Sequence, residues 1–284
     1  MRANDFGIPK DIFVYLQKTE ERCNSFGGDD FIVRELSDPS MLLLRRNGKM
    51  LRPMLVFLSA LAFDKKLDDY IDMAASIELL HIASLVHDDI IDREEERRGG
   101  ITVNMKYGNE LAILAGDALI SKSIQLSCRY GEKVMDFISR VSIEMCAGEA
   151  LDFAFQKNGK TPDVEDYIKI ATLKSASLIS ASGSAVPIYL ENGAAAKMRE
   201  FGRNLGIAFQ IKDDIEDFKA GERGRHMPNI VNSLIEYRNM DEYAALAEAG
   251  EMNNGYVDKA LDMLNGINGE YLGMCAEWIR VAKS

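Results

Sequence analysis

Six aspartates at a repeated spacing are the residues of this chain best placed to do chemistry. In the stretch Ser84–Gly99, SLVHDDIIDREEERRG, Asp88, Asp89 and Asp92 are followed by the pair Arg97 and Arg98. Read as the polar end of one long helix, the stretch sets Asp88 and Asp92 on one face, one turn apart. Their charges repel, so the pair is tolerated where a cation sits between them or water screens them. A lone copy reads as a solvated acidic helix end. Here, however, the segment Ala208–Phe218, AFQIKDDIEDF, repeats the spacing with Asp213, Asp214 and Asp217. Two such motifs, each on a mostly apolar helix, can face one another across a cavity and offer their carboxylates to hard cations. Oxygen-only donors suit Mg²⁺, which binds through a few carboxylates and completes its shell with substrate phosphates.

The cationic residues fall into three groups. Lys49 and Arg52, in NGKMLRP (residues 47 to 53), stand three apart at a helix start and can both point at one anion. Such pairs are also commonplace on surfaces. His81 lies seven residues before Asp88, on the same face and two turns deeper; a solitary histidine there reads first as a packed core residue, and His87 reads as structural. For Arg97 and Arg98, charge balance competes with anion binding, because Glu94 stands three before Arg97. Lys174, in YIKIATLKSASL, sits in an otherwise uncharged stretch between Lys169 and Glu191, so its ammonium needs a counter-charge. Ser175 adds a hydroxyl beside it. Gln210, three before Asp213, is either a donor on that face or a structural amide.

The elements that must position these residues read as helical throughout. Apolar residues recur at three and four over Ile8–Cys23, Met41–Ala62, Leu67–Glu96, Glu110–Tyr130, Glu132–Phe155, Asp163–Tyr189 and Ala194–Lys219. Strand-like alternation is nearly absent. Thr161-Pro162-Asp163 reads as a helix start, with Thr161 as cap and Pro162 in the first helical position. The 284 residues, 47% of them hydrophobic, suffice for one large domain over 1–284, and nothing marks a linker. The expected fold is therefore all-α, a single large helical bundle around a central cavity with ligands held between facing helices.

Composition narrows the partners. A net charge of −11 leaves no basic stripe for nucleic acid or an anionic membrane. The four cysteines, Cys23, Cys128, Cys146 and Cys275, are scattered without metal-binding spacing and fit reduced thiols. The first sixteen residues have no apolar core of a secretory signal, and the run Pro53–Phe63 is too short to span a bilayer. A soluble, cytoplasmic protein is expected.

Taken together, ELLHIASLVHDDIIDREEERRG, with NGKMLRP before it and LKSASL and FQIKDDIED after it, resembles the trans-isoprenyl diphosphate synthases, the polyprenyl synthetase family. The likeness runs from about Asn47 to Pro228. It implies that Asp88, Asp92 and Asp213 hold Mg²⁺ on an allylic diphosphate, with Asp89, Asp214 and Asp217 as further or water-mediated ligands. It implies that Arg97 and Lys174 grip that diphosphate and that Lys49, Arg52, His81 and Arg98 hold isopentenyl diphosphate. Ser175 and Gln210 match neutral groups that steady an allylic cation. No side chain is an obvious general base, and the released diphosphate is the expected proton acceptor.

The resemblance also bears on product length. Bulky aromatics four and five residues before the first aspartate close the family's tunnel early. Here Ser84 and Ala83 stand in those places, and both are small. Leu80 and Ser76 lie deeper, Ser76 about 18 Å along the axis from Asp88. A geranylgeranyl or longer product follows, with a farnesyl synthase, a non-catalytic regulatory subunit and a terpene cyclase as the alternatives. A homodimer is implied by the likeness alone. The chain departs from the family between Asp217 and Pro228, where FKAGERGRHM is shorter than the usual loop and leaves Lys219, Arg223 or Arg225 to replace its lysines.

Overall fold

The computed structural model describes residues 8–26, 28–46, 48–221 and 228–282. Among the described residues the fold is all-α apart from one minimal hairpin, and the chain divides into two compact units. The first holds the residues up to Ser139 together with Ile188–Leu190; the second holds Arg140–Pro187 and the residues from Glu191 onward.

The first unit is built on α4 (Ile71–Ile91), which is apolar nearly all round. Helices α1 (Asp11–Asn24), α2 (Arg34–Leu44) and α3 (Leu51–Ala62) pack with it, followed by the hairpin β1 (Glu96–Arg97) and β2 (Gly100–Ile101), then α5 (Val103–Tyr107) and α6 (Asn109–Ser127). Phe26, Met41, Leu79, Ile82, Val86 and Leu119 form its core. By length and composition α6 could cross a membrane, a feature the apolar-run reading passed over. Its Ala112, Ala115, Gly116 and Leu119 are buried, however, and α4 is the helix it packs against most extensively. Gly116 is what allows the closest approach: a Cβ there would fall 2.1 Å from His87 Nε2. That imidazole lies 3.1 Å from the Ile113 carbonyl, in keeping with a structural histidine.

The second unit carries the rest of α7 (Glu132–Lys157), then α8 (Val164–Ala171), a π-helical turn (Thr172–Ala176), α9 (Ser177–Tyr189), α10 (Ala195–Lys219), α11 (Ile230–Arg238), α12 (Glu242–Met263) and α13 (Glu270–Ile279). Its core joins Tyr167, Ile207, Ile211, Ile215, Val231 and Leu234. Small residues let α10 lie against the π turn and α9. A Cβ on Gly206 would come within 2.5 Å of Ala176 Cα, and one on Gly202 within 2.5 Å of Ser180 Cα.

Four helix boundaries differ from the periodicity. Met41–Ala62 is two helices, because Met50 takes a left-handed conformation (φ +50°) at the start of α3. Helix α4 stops at Ile91, so Glu94 to Arg98 are not helical. Asp163–Tyr189 is interrupted by the π turn. The cap of α8 is Asp163, whose Oδ1 accepts the Asp166 N–H at 2.8 Å, not Thr161. In each case a side chain or backbone contact outweighs an apolar pattern that runs on unbroken.

The close α10 packing makes a paired expectation. Gly206→Ala forces backbone apart and should destabilise by about 1–3 kcal/mol. Gly255→Ala in α12, where a Cβ meets nothing within 4 Å, should be neutral or stabilise by up to about 1 kcal/mol through helix propensity. Urea midpoints of the two variants decide; equal shifts would contradict the close contact.

Candidate active site

The first acidic motif closes α4. Asp92 is its C-cap, and its N–H donates to the Asp88 carbonyl at 2.8 Å. Asp88 and Asp92 remain partly exposed, one turn apart. Asp89 turns inward and is fully buried. Its Oδ1 pairs with Arg97 Nε across the hairpin, while Oδ2 is enclosed without a hydrogen-bond partner. Burial raises the Asp89 carboxyl above its usual range against the pull of Arg97. The sequence expectation that Arg97 and Arg98 extend the helix, with Glu94 as the helical partner of Arg97, is therefore replaced: Arg97 reaches back to Asp89 from β1.

The second motif has the same construction on α10. Asp213 and Asp217 are partly exposed one turn apart, and Asp214 is buried. Asp214 Oδ2 accepts the Ile230 N–H and Oδ1 accepts Gln210 Nε2, both at 2.9 Å. Burial pushes its pKa up to about 7 in spite of those donors. An asparagine fifteen residues on serves each buried aspartate: Asn104 Nδ2 donates to the Asp89 carbonyl at 3.3 Å, and Asn229 Nδ2 donates to the Asp214 carbonyl at 3.0 Å. Both motifs thus spend the middle aspartate on anchoring the segment that follows, while the outer two stay partly exposed.

Among the described residues no three ligating side chains converge into a ready-made metal cage. Each motif instead sets two partly exposed outer carboxylates one helical turn apart. This oxygen-only, incomplete donor set fits a hard divalent ion that draws the rest of its shell from phosphate. It does not fit a caged or thiolate-bound metal.

In the first unit Arg98 lines a cavity of about 270 Å³ together with Arg46, Gly48, Met50 and the carboxylates of Glu20 and Glu78; Lys49, Arg52 and His81 are not in its walls. The Arg98 guanidinium rests on Gly48, where a Cβ would come within 2.8 Å. Arg98 itself is left-handed (φ +52°), as is Met50, so both walls hold strained backbone of the kind found at ligand sites. Arg52 Nη1 lies 3.2 Å from His81 Nε2. Glu78 is buried below them; burial raises its carboxyl pKa, opposed by the charges of Arg52 and Arg98. Lys49 is exposed on the adjoining loop, and Asn47 lies outside the described residues.

In the second unit Lys174 projects from the π turn, a distortion common at functional positions. The counter-charge it requires is double: Nζ lies 2.5 Å from Asp152 Oδ2 and 2.7 Å from Glu149 Oε2, both on α7. Gly148 lets α7 touch the turn, since a Cβ there would fall 2.3 Å from Lys174 N. Next to it, Ser175 Oγ donates to Gln210 Oε1 at 2.7 Å. That bond joins the neutral pair to Asp214 in one chain of hydrogen bonds. Sequence reasoning missed Arg46, Glu78, Glu149 and Asp152. The fifteen-residue interval from each buried aspartate to its asparagine was a legible signal for the shared anchoring.

The four residues assigned to product length differ in surroundings. Ser84 is partly exposed, with Oγ donating to the His81 carbonyl at 2.9 Å. Ala83 is enclosed in the core of the first unit. Leu80 is buried, and Ser76 Oγ donates to the Ser123 carbonyl at 2.9 Å and lies 2.7 Å from Ser127 Oγ on α6. Lys219 is exposed, whereas Arg223 and Arg225 lie outside the described residues.

The environment of His81 has a consequence for stability. Lost hydration, and then the guanidinium charges of Arg52 and Arg98, hold its pKa well below the ordinary 6.5. The folded state thus binds fewer protons than the unfolded state below about pH 6.5, and stability falls as pH drops. Above that pH the effect vanishes. His81→Gln should remove up to about 1.4 kcal/mol per pH unit of this acid-side slope. Unfolding free energies of both proteins between pH 7 and pH 5 test it; parallel slopes would contradict it.

Residues 33–226 match the family model for polyprenyl synthetase. Over 209 residues the chain is 32% identical to a short chain isoprenyl diphosphate synthase of Methanocaldococcus jannaschii, a match covering 71% of this chain and 62% of that protein. A geranylgeranyl diphosphate synthase of Sulfolobus acidocaldarius is 37% identical over 201 residues, covering 67% and 61% respectively. The matches thus span little more than three fifths of these relatives' lengths. Among solved structures, geranylgeranyl pyrophosphate synthetase from Pyrococcus horikoshii superposes with a TM-score of 0.85 at 26% identity, over 95% of this chain and 98% of that one. With the paired aspartate motifs and the all-α fold in agreement with this match, the chain belongs to the polyprenyl synthetase family.

Proposed function

We propose that this protein is a Mg²⁺-dependent trans-prenyltransferase that condenses isopentenyl diphosphate with an allylic diphosphate, releasing diphosphate and extending the chain by one isoprene unit. The observation that supports it best is the duplicated motif, in which a buried middle aspartate anchors the chain and the two outer ones are partly exposed one helical turn apart. In this reading both units serve one synthase domain, with Asp88, Asp92, Asp213 and Asp217 as the residues that hold divalent ions against the allylic diphosphate. The bound ions supply neutralisation of charge on the departing diphosphate.

The chain's own side chains divide the remaining work. Arg97 and Lys174 add positive charge at the leaving group, where preorganised donors stabilise the transition state. Both are paired with carboxylates, Arg97 with Asp89 and Lys174 with Glu149 and Asp152, so a diphosphate would compete for side chains that are already ordered. Lys49, Arg52, His81 and Arg98 hold the isopentenyl diphosphate. Neutral His81, kept unprotonated by its surroundings, can donate or accept one hydrogen bond without adding charge. The Ser175–Gln210 pair presents uncharged dipoles to the developing allylic cation, and no side chain is assigned as the base. The attacking double bond forms the new C–C bond, and the proton lost goes to the released diphosphate.

A geranylgeranyl or longer product is the reading for chain length, because Ser84, one turn before Asp88, is small and partly exposed. Ser84→Phe should shorten the product. Ala83→Phe is the less clean probe, since Ala83 is packed in the core and a phenyl ring there overpacks it. Cytoplasmic location and a homodimer belong to the same proposal and rest on the family.

Purified protein alone, with Mg²⁺, labelled isopentenyl diphosphate and a series of allylic primers, should give prenyl products that chromatography can size. Chelation by EDTA should abolish turnover. Asp88→Asn and Asp213→Asn should each lower kcat by about 10²–10³, the scale of losing one electrostatic contact to a transition state. Absence of any condensation by the protein alone would favour a non-catalytic subunit. Turnover of an allylic diphosphate without isopentenyl diphosphate would point to a cyclase.

A further inference from the structure

The hairpin that presents Arg97 and Arg98 is too small to hold its own shape. Its strands pair only two residues each, Glu96 with Ile101 and Arg97 with Gly100, and an isolated two-stranded ribbon is marginal at best in water. The turn adds strain, because Arg98 (φ +52°) and Gly99 (φ +71°) are both left-handed, and Arg98 adopts that conformation less readily than glycine. From one side the hairpin is gripped by Asp89 through Arg97.

Arg46, two residues beyond α2, grips it from the other side. Its Nη1 donates to the carbonyls of Arg97 at 2.9 Å and Gly100 at 3.0 Å, and its Nη2 donates to the Ile101 carbonyl at 2.8 Å. Gly100 makes this approach possible, since a Cβ there would come within 2.9 Å of Arg46 Cζ. The backbone carbonyl of Arg46 in turn accepts Arg98 Nη1 at 3.2 Å. One residue therefore fixes the strands that carry both arginines and also the direction of the Arg98 side chain.

We propose that Arg46 is a positioning residue for the isopentenyl diphosphate site: it staples the hairpin so that Arg98 enters the 270 Å³ cavity already aimed at the diphosphate. The assignment of that ligand rests on the function proposed above. A lysine cannot substitute, because three carbonyls in a fixed fork require a planar guanidinium, not a single ammonium. The Arg46 side chain need not touch substrate, which separates its role from that of Arg98.

The test combines exchange and kinetics on the full chain. Arg46→Gln, and Gly100→Ala from the opposite side, should speed amide hydrogen exchange over residues 95–102, including the Thr102 N–H that donates to the Glu95 carbonyl. They should raise KM for isopentenyl diphosphate about ten- to a hundred-fold, the scale for losing a residue that orients a ligand-binding group, with a much smaller change in kcat. Arg46→Lys should recover little of the loss. In an Arg98→Gln background, Arg46→Gln should add almost nothing further to KM. Unchanged exchange and KM in Arg46→Gln, or an effect that adds in full to that of Arg98→Gln, would overturn the inference. If the wild-type protein turned over no isopentenyl diphosphate, the proposed function would fail, whereas exchange at 95–102 would still decide the staple: retained protection in Arg46→Gln would refute it.

Discussion

Repulsion between neighbouring carboxylates is the constraint around which the sites in this molecule are arranged. Three aspartates within five residues cannot all face the same solvent without raising one another's pKa. Each motif resolves this by turning its middle aspartate into the protein. Asp89 meets a guanidinium, and Asp214 meets a backbone N–H and an amide. What remains outside is a pair one helical turn apart, a spacing that a hard divalent ion can bridge. The inward carboxylate is also structural, because its partner is in each case the segment that leaves the motif.

The same economy governs the cations. Arg97 is held by Asp89, Arg98 lies above a buried Glu78, and Lys174 sits between Glu149 and Asp152. Each of these three charges has a carboxylate close by. A buried or half-buried cation left alone would pay a large desolvation penalty or lose its proton. Pairing keeps it charged and ordered until a stronger anion arrives. The acidic excess of the chain, a net −11, therefore coexists with arginines and a lysine held in the interior by carboxylates.

Backbone irregularities mark where these groups project. Lys174 stands on a π turn, and Met50 and Arg98 occupy left-handed conformations on either side of one cavity. None is visible as a break in the apolar periodicity, because side-chain hydrophobicity reports which face is buried and says little about the local hydrogen-bonding register. Thus Asp163–Tyr189 reads as one helix although the ladder slips at Thr172, and Met41–Ala62 reads as one although it turns at Met50. The hairpin after Asp92 was equally hidden: EEERRG has good helix formers, and the contacts of Arg97, Arg46 and Thr102 draw it into an extended pair.

The amino-acid sequence by itself determined the all-α class and the two acidic motifs, because helical period and charge spacing are local properties written directly in residue order; the residues proposed for a diphosphate came from the family resemblance. It also carried the fifteen-residue interval from each middle aspartate to its asparagine, a regularity whose meaning appears only with the fold. The tertiary structure alone decided which aspartate of each trio is buried, which carboxylates balance Lys174, and that Arg46 holds the hairpin bearing Arg97 and Arg98. Those outcomes depend on side chains brought together from tens of positions apart, where burial and hydrogen-bond geometry, not sequence spacing, set the energy.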